Sequence, residues 1–218
     1  MCFNHFFYFW GELKKMNMSK TVKAILIIIG VLLIDQALKI WIKTNFSLYQ
    51  EKAVIGEWFK LHFTENSGMA FGMKLGGKTG KLLLSVFRLL AIIGIAFYLR
   101  HLIKHNVPTG LIISIALILA GAIGNMIDSA FYGIIFSNSF PNEPAFAFPP
   151  GGGYSGFLHG KVVDMLYFPL FSGHYPKWFL QGREFIFFRP VFNIADSAIT
   201  IGVSLILLFQ RKYFKEFR

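Results

Sequence analysis

The chain has 218 residues, 55% of them hydrophobic and 15% charged, with a net charge of +11. A soluble domain carries roughly 25% charged residues, so these numbers exclude an ordinary water-soluble core, and they exclude disorder. One cysteine, Cys2, excludes an internal disulfide framework and a cysteine-based zinc site.

Residues 1–20 form a leader that opens MCFNHFFYFW, with Met16 and Met18 close behind. It reads either as an upstream start or poorly ordered tail, or as an interfacial aromatic anchor. Residues 21–218 read as a single four-helix membrane domain. Apolar blocks predict spans at about 24–42, 82–99, 110–131 and 192–210, each near the ~20 residues that a crossing helix needs. Backbone groups in lipid must bond internally, so the spans are helices. Span 1 starts like a signal peptide. It lacks a small-x-small cleavage site and runs on through Asp35 and Lys39, so it is expected to stay as the first helix.

Charge placement gives direction. Of 22 Lys and Arg, four lie in 14–23, two in 100–104 and four in 211–218, all flanking apolar runs. This positive-inside pattern puts both termini and the 100–109 turn in the cytoplasm, and segments 43–81 and 132–191 outside. The net charge then needs no nucleic acid. The second outer segment holds seven of the eight prolines and reads as an irregular loop. The expected fold class is membrane α-helical: four transmembrane helices, with a small extracytoplasmic β-rich or loop region between helices 1–2 and 3–4.

Several motifs fail on context. Gly72 to Thr79 matches the phosphate-loop pattern, but a polar loop precedes it and a span follows, so no nucleotide partner is expected. The six His show no metal-ligand spacing, so no metal or other cofactor is expected. No nucleophile elbow occurs. Gly151 to Gly153 reads as loop flexibility. Arg88, inside span 2, is expected to snorkel toward the outer surface.

The chain has only four Asp: Asp35, Asp128, Asp164 and Asp196. A carboxylate at membrane depth costs about 2.5 kcal/mol or more and is a functional hypothesis by default. At 1.5 Å per residue, Asp35 lies about 18 Å from Lys23, Asp128 about 27 Å along span 3, and Asp196 about 24 Å from Lys212. All three then sit in the outer part of the membrane, where Asp164 joins them from the loop. Plainer roles exist for each. Asp35 and Lys39 are four apart and can neutralise each other, and Asp128 and Asp196 can cap helix ends. Two carboxylates sharing one site leave one of them protonated. The ionised one takes a proton from water and the protonated one polarises a peptide carbonyl, which splits a peptide bond.

Five pieces carry a resemblance. Asp35-Gln-Ala-Leu-Lys39, Asn66-Ser-Gly-Met-Ala-Phe-Gly72, Gly124-Asn125-Met-Ile-Asp128, Val162-Val163-Asp164 and Phe192-Asn193-Ile-Ala195-Asp196 stand in that order. Together they resemble the motifs of the lipoprotein signal peptidases, or signal peptidase II. The resemblance covers about residues 23–209. It implies an aspartic endopeptidase of the bacterial cytoplasmic membrane with its site at the outer face. Such an enzyme cuts prolipoproteins before a diacylglyceryl-modified cysteine. It implies Asp164 and Asp196 as the catalytic dyad, with Asn125, Asp128, Asn193 and Ala195 supporting dyad and substrate. Asp35, Lys39, Asn66, Gly68 and Ala70 would shape the outer pocket. The expected partners are lipid-modified prolipoproteins and membrane lipids, and the expected state is a monomer.

Two features depart from the family. Ser129 stands where an Arg usually follows the Asp of the third motif, so Asp128 lacks that positive partner. Residues 134–160 form an insertion between two site motifs, which reads as a lid or lipid-contacting flap, or as a tolerated surface insertion. Outside the family, the competing readings are a small proton- or ion-coupled transporter and a membrane scaffold. A transporter would want polar residues through the full membrane depth, and the inner halves of spans 1 and 4 are almost purely aliphatic.

Overall fold

A computed structural model describes residues 18–66, 77–174, 184–187 and 190–213. Each apolar block forms one helix: α1 (Lys20–Asn45), α2 (Gly77–Lys104), α3 (Thr109–Ile127) and α4 (Ile194–Tyr213). Four helices, with α3 continued to Ile135, are long and apolar enough to cross a membrane. The first two outrun the hydropathy-based limits at both ends because polar flanking residues continue the backbone ladder, whereas α4 starts at Ile194, two residues inside its expected limit, because Val191–Phe192 form a strand. The first one begins at Ser19, whose side chain accepts the Val22 N–H at 3.2 Å. Of the leader, residues 1–17 lie outside the described residues.

The α3 helix packs against the other three helices, and α1 also meets α4. Past Ile127 it widens into a π turn, Asp128–Tyr132, and closes with one α turn, Gly133–Ile135. A π turn releases carbonyls from the regular ladder, and these need new donors. The insertion supplies them. Gly160 N–H donates to Ser129 O (2.8 Å), Leu158 N–H to Ala130 O (3.3 Å) and Ser155 N–H to Gly133 O (2.8 Å). Farther out, Ala145 N–H donates to Lys43 O and Leu48 N–H to Phe140 O. The segment is therefore strapped to α1 and α3 rather than hinged. Within its glycine run, Gly153 serves close contact, since a Cβ there would stand 2.1 Å from Gly133 O, whereas Gly151 and Gly152 face open space and Gly152 takes a φ of 86°.

Four strands make an antiparallel sheet in the order β1 (Glu51–Ile55), β2 (Phe59–Asn66), β3 (Val162–Tyr167), β6 (Val191–Phe192). A separate hairpin joins β4 (Phe171–His174) to β5 (Glu184–Phe187). The expected β-rich region between helices 1–2 and 3–4 is thus present.

Two apolar clusters lie at different heights. One joins Ala24, Leu99, Leu102, Leu111, Ile112 and Tyr213 at the end where the chain enters α1 and leaves α4. There Lys20 Nζ donates to Asn106 O and Val107 O, so the α2–α3 turn sits beside the start of α1. The other joins Ile42, Phe46, Phe63, Tyr132, Val163 and Met165 under the sheet. Along both α1 and α3, the polar motif residues fall between these clusters.

The sheet is tied to α1 by a buried ion cluster. Glu65 on β2 pairs with Lys43 of α1 and with Lys161, and Ser139 Oγ donates to the same carboxylate at 2.8 Å. Burial works against the Glu65 charge, yet Lys43 and Lys161 outweigh it and hold this carboxyl below the usual carboxylate range. Removing one partner of a buried pair costs about 3–5 kcal/mol, because the other charge stays buried alone. Glu65→Ala strands Lys43, whereas Lys43→Met leaves Glu65 its Lys161 partner. In detergent, denaturant unfolding should show Glu65→Ala as the more destabilised of the two.

Candidate active site

The site is built around a lysine with no exposure to solvent. Lys39 Nζ lies 2.9 Å from Asp35 Oδ2 and 2.9 Å from Asp128 Oδ2, and donates to Asn125 Oδ1 at 2.8 Å. An ammonium has three protons, and these three acceptors use them all. The Asp35–Lys39 pair foreseen on one helix face thus exists, but it is half of a larger bridge from α1 to α3. The cation that Ser129 does not provide for Asp128 comes from Lys39. Ser129 instead bonds back to Asn125 O of its own helix at 3.1 Å.

Each acceptor also reaches a different element. Asp35 Oδ1 accepts the Ala195 N–H at 2.9 Å, in the first turn of α4. Asp128 Oδ2 accepts the Val163 N–H of β3 at 3.2 Å, so it fixes a strand rather than capping its own helix. Asn125 Nδ2 donates to Asp196 Oδ1 at 2.8 Å. Gln36 adds a second bridge, donating to Asp35, Asp128 and Gly124 O, while its own Oε1 accepts from Tyr132.

Asp164 and Asp196 meet across two asparagine amides. Asn193 Nδ2 donates to Asp164 Oδ1 at 2.7 Å and approaches Asn125 Oδ1 at 3.1 Å. Asn193 also starts α4 through a reciprocal cap: its Oδ1 accepts the Asp196 N–H at 2.8 Å, and its N–H donates to Asp196 Oδ2 at 3.4 Å. Asp196 therefore does cap a helix, and the cap aims its carboxylate. Asp164 is buried on β3, paired across the strands with Thr64, while Asp196 is half-buried. Burial first, and the Asp196 charge second, push the Asp164 carboxyl up to about 7.

Other expected residues are accounted for as follows. Asn66 ends β2 opposite Val162, two residues before Asp164. Gly68 and Ala70 lie outside the described residues. Ala195 is buried and offers its N–H to Asp35. Gln36 and Tyr132 are the residues that sequence reasoning passed over. Arg88 is half-buried, with the carboxylates of Asp196 and Asp164 within electrostatic reach. Ser85, three residues earlier on α2, is buried and donates to Leu158 O at 3.0 Å.

Fold and site together define a membrane enzyme with clustered aspartates in an otherwise apolar bundle. The sequence profile described as signal peptidase (SPase) II matches residues 27–211, and the chain belongs to that family. It is 47% identical over 199 residues to a lipoprotein signal peptidase of Porphyromonas gingivalis, covering 90% of this chain and 85% of that protein. A lipoprotein signal peptidase of Amoebophilus asiaticus is 40% identical over 182 residues, covering 82% and 73%. A solved bacterial membrane enzyme shares the fold with a TM-score of 0.56 at 24% identity, covering 87% of this chain and 88% of that one.

The close approach of α1, α3 and α4 depends on Gly124. A Cβ there would stand 2.8 Å from Asp35 Oδ2 and 3.1 Å from the Ala195 side chain. Gly124→Ala should push Asp35 off the α4 amide and lower proteolytic turnover at least tenfold, with little change in expression or helix content by circular dichroism.

Proposed function

We propose that this protein is an aspartic endopeptidase that removes signal peptides from prolipoproteins, cutting before the diacylglyceryl-modified cysteine with water activated by Asp164 and Asp196. Family membership supports the activity. The observation that supports the dyad is the amide chain in which Asn193 bonds Asp164, Asn125 bonds Asp196, and the two amides bond each other. The raised Asp164 carboxyl keeps its proton near neutrality and polarises the scissile carbonyl. Asp196, whose oxygens face an amide and a backbone N–H, acts as the base that takes a proton from water. The hydroxide attacks the carbonyl carbon while Asp164 gives its proton to the substrate oxygen; Asp196 then passes the water proton to the departing amine nitrogen, and the gem-diol returns a proton to Asp164 as the carboxyl product forms.

The orientation follows from charge. Lys20, Lys23, Arg100, Lys104, Arg211 and Lys212 belong to the helix ends on the far side from the sheet. By the positive-inside rule that end faces the cytoplasm. The dyad then works at the outer face of the bacterial cytoplasmic membrane, where a lipid-anchored prolipoprotein presents its cysteine.

The deciding experiment gives purified protein in detergent a lipid-modified prolipoprotein. Asp164→Asn and Asp196→Asn should each lower cleavage by about 10²-fold or more while remaining folded. Parent-like cleavage by either variant would overturn the dyad.

The pH dependence has a definite sign. Asp164 binds its proton in the folded state up to about 7, whereas an unfolded Asp releases it near 3.9. Stability from this group is complete below the unfolded value and declines as pH rises through about 7, and cleavage loses its acid over the upper part of that window. Turnover should fall from pH 6 to pH 8, and Asp164→Asn should gain melting temperature over the parent by more at pH 8 than at pH 5.

A further inference from the structure

The insertion carries a chemical oddity. Between Glu143 and Lys161 there is no Lys, Arg, Asp or Glu, although the stretch contains Phe146, Phe148 and Phe157. All three phenylalanines are exposed, Phe148 by 78%. A water-facing loop has little reason for that composition.

The backbone adds a second observation. Phe148 sits at φ 55° and Leu158, next to Phe157, at φ 64°. The left-handed region is unfavourable for side chains of this size, and such strain persists only where the surroundings hold it. The surroundings do hold it: Phe148 N–H donates to Ile135 O at 2.7 Å, and Leu158 N–H to Ala130 O. The strained residues are thus pinned to α3 and its π turn, with two aromatic rings held outward. In water those rings would gain nothing from being held there.

The third observation is continuity. Phe131 and Ile134 are exposed on the last turns of α3, within a span able to cross the bilayer. The Phe157 ring packs edge-on against Phe131 at 5.8 Å between centroids. The apolar outer surface of the helix therefore runs without a break onto the insertion.

From this placement we propose that the insertion is an interfacial anchor, with Phe148 and Phe157 seated in the headgroup–acyl boundary of the bilayer. Its partner is the lipid surface itself. Aromatic side chains favour that boundary, and an apolar face without charge lies in it readily. The strap then fixes the height of β3, which follows directly at Val162, relative to the membrane plane. A lipid-anchored cysteine enters at one set depth, and a peptide cut beside it needs Asp164 held at that same depth.

The inference rests on the four spans crossing a bilayer and not on the peptidase assignment. The test is site-directed spin labelling in phosphatidylethanolamine–phosphatidylglycerol vesicles. Cys2→Ser clears the one native thiol, and single nitroxides are placed through Phe148→Cys, Phe157→Cys, Phe97→Cys and Lys104→Cys. Phe97 is exposed inside α2 and serves as the lipid reference, and Lys104 at its end serves as the water reference. Oxygen access should exceed nickel-chelate access several-fold at 148 and 157, as at 97, with the reverse at 104. Labels at 148 and 157 that respond like 104 would overturn the anchor. Shielding from both relaxants with dipolar broadening would put a second copy of the chain on this surface and overturn it equally. Failure at 97 would count against the spans themselves and is read separately.

Discussion

Lys39 takes a full positive charge into a layer closed to water, where an unpaired ammonium costs several kcal/mol. The surrounding structure exists to satisfy it. Asp35 comes from the same helix, and Asp128 and Asn125 from α3. The remaining lone pairs and protons of those three groups then reach α4 and β3. One buried charge thereby sets the mutual position of three helices and the strand that bears Asp164. Conversely, the two carboxylates that flank Lys39 are satisfied by it and by fixed donors, so they hold geometry. Asp164 and Asp196, which the ammonium does not touch, are the pair proposed to carry the chemistry.

The polar layer is thin. Along α1 the sequence passes from Ala24 in one apolar cluster, through Asp35 and Lys39, to Ile42 in the next. Along α3 it passes from Leu111 through Asn125 and Asp128 to Tyr132. A path for ions would need polar groups through the whole depth, and the cluster beneath the aspartates is apolar apart from Tyr213 at its far end, while the buried Ser114 beside it is spent on Gly110 O. The π turn beginning at Asp128 sits where the layer ends. It turns that carboxylate toward the β3 amide and frees carbonyls that the inserted segment then occupies.

Much of this was readable beforehand. Hydropathy placed all four helices, because lipid demands an unbroken apolar run whatever the packing. The ordered aspartate and asparagine motifs named most of the residues that converge. Gly68 and Ala70 fall outside the described residues, so the loop that holds them adds nothing to the comparison. What escaped was long-range pairing. Lys43 follows span 1 and belongs to none of the five motifs, yet it has no exposure and faces Glu65, 22 residues away. Gln36 and Tyr132 are 96 residues apart and share a hydrogen bond. No local pattern announces such partners. The cap Asn193-x-x-Asp196 was half read: Asp196 was foreseen as a helix cap, but Asn193, three residues earlier, was not recognised as its reciprocal partner.

That cap has a consequence for resistance. Asp196 starts a membrane helix with the same carboxylate that is proposed to activate water, and Asn193 shares both tasks. A drug anchored on these two side chains would confront a target with few escape routes. Any substitution that weakened the drug would also unfasten the first turn of α4 from its neighbours. Selection could not relieve one pressure without incurring the other.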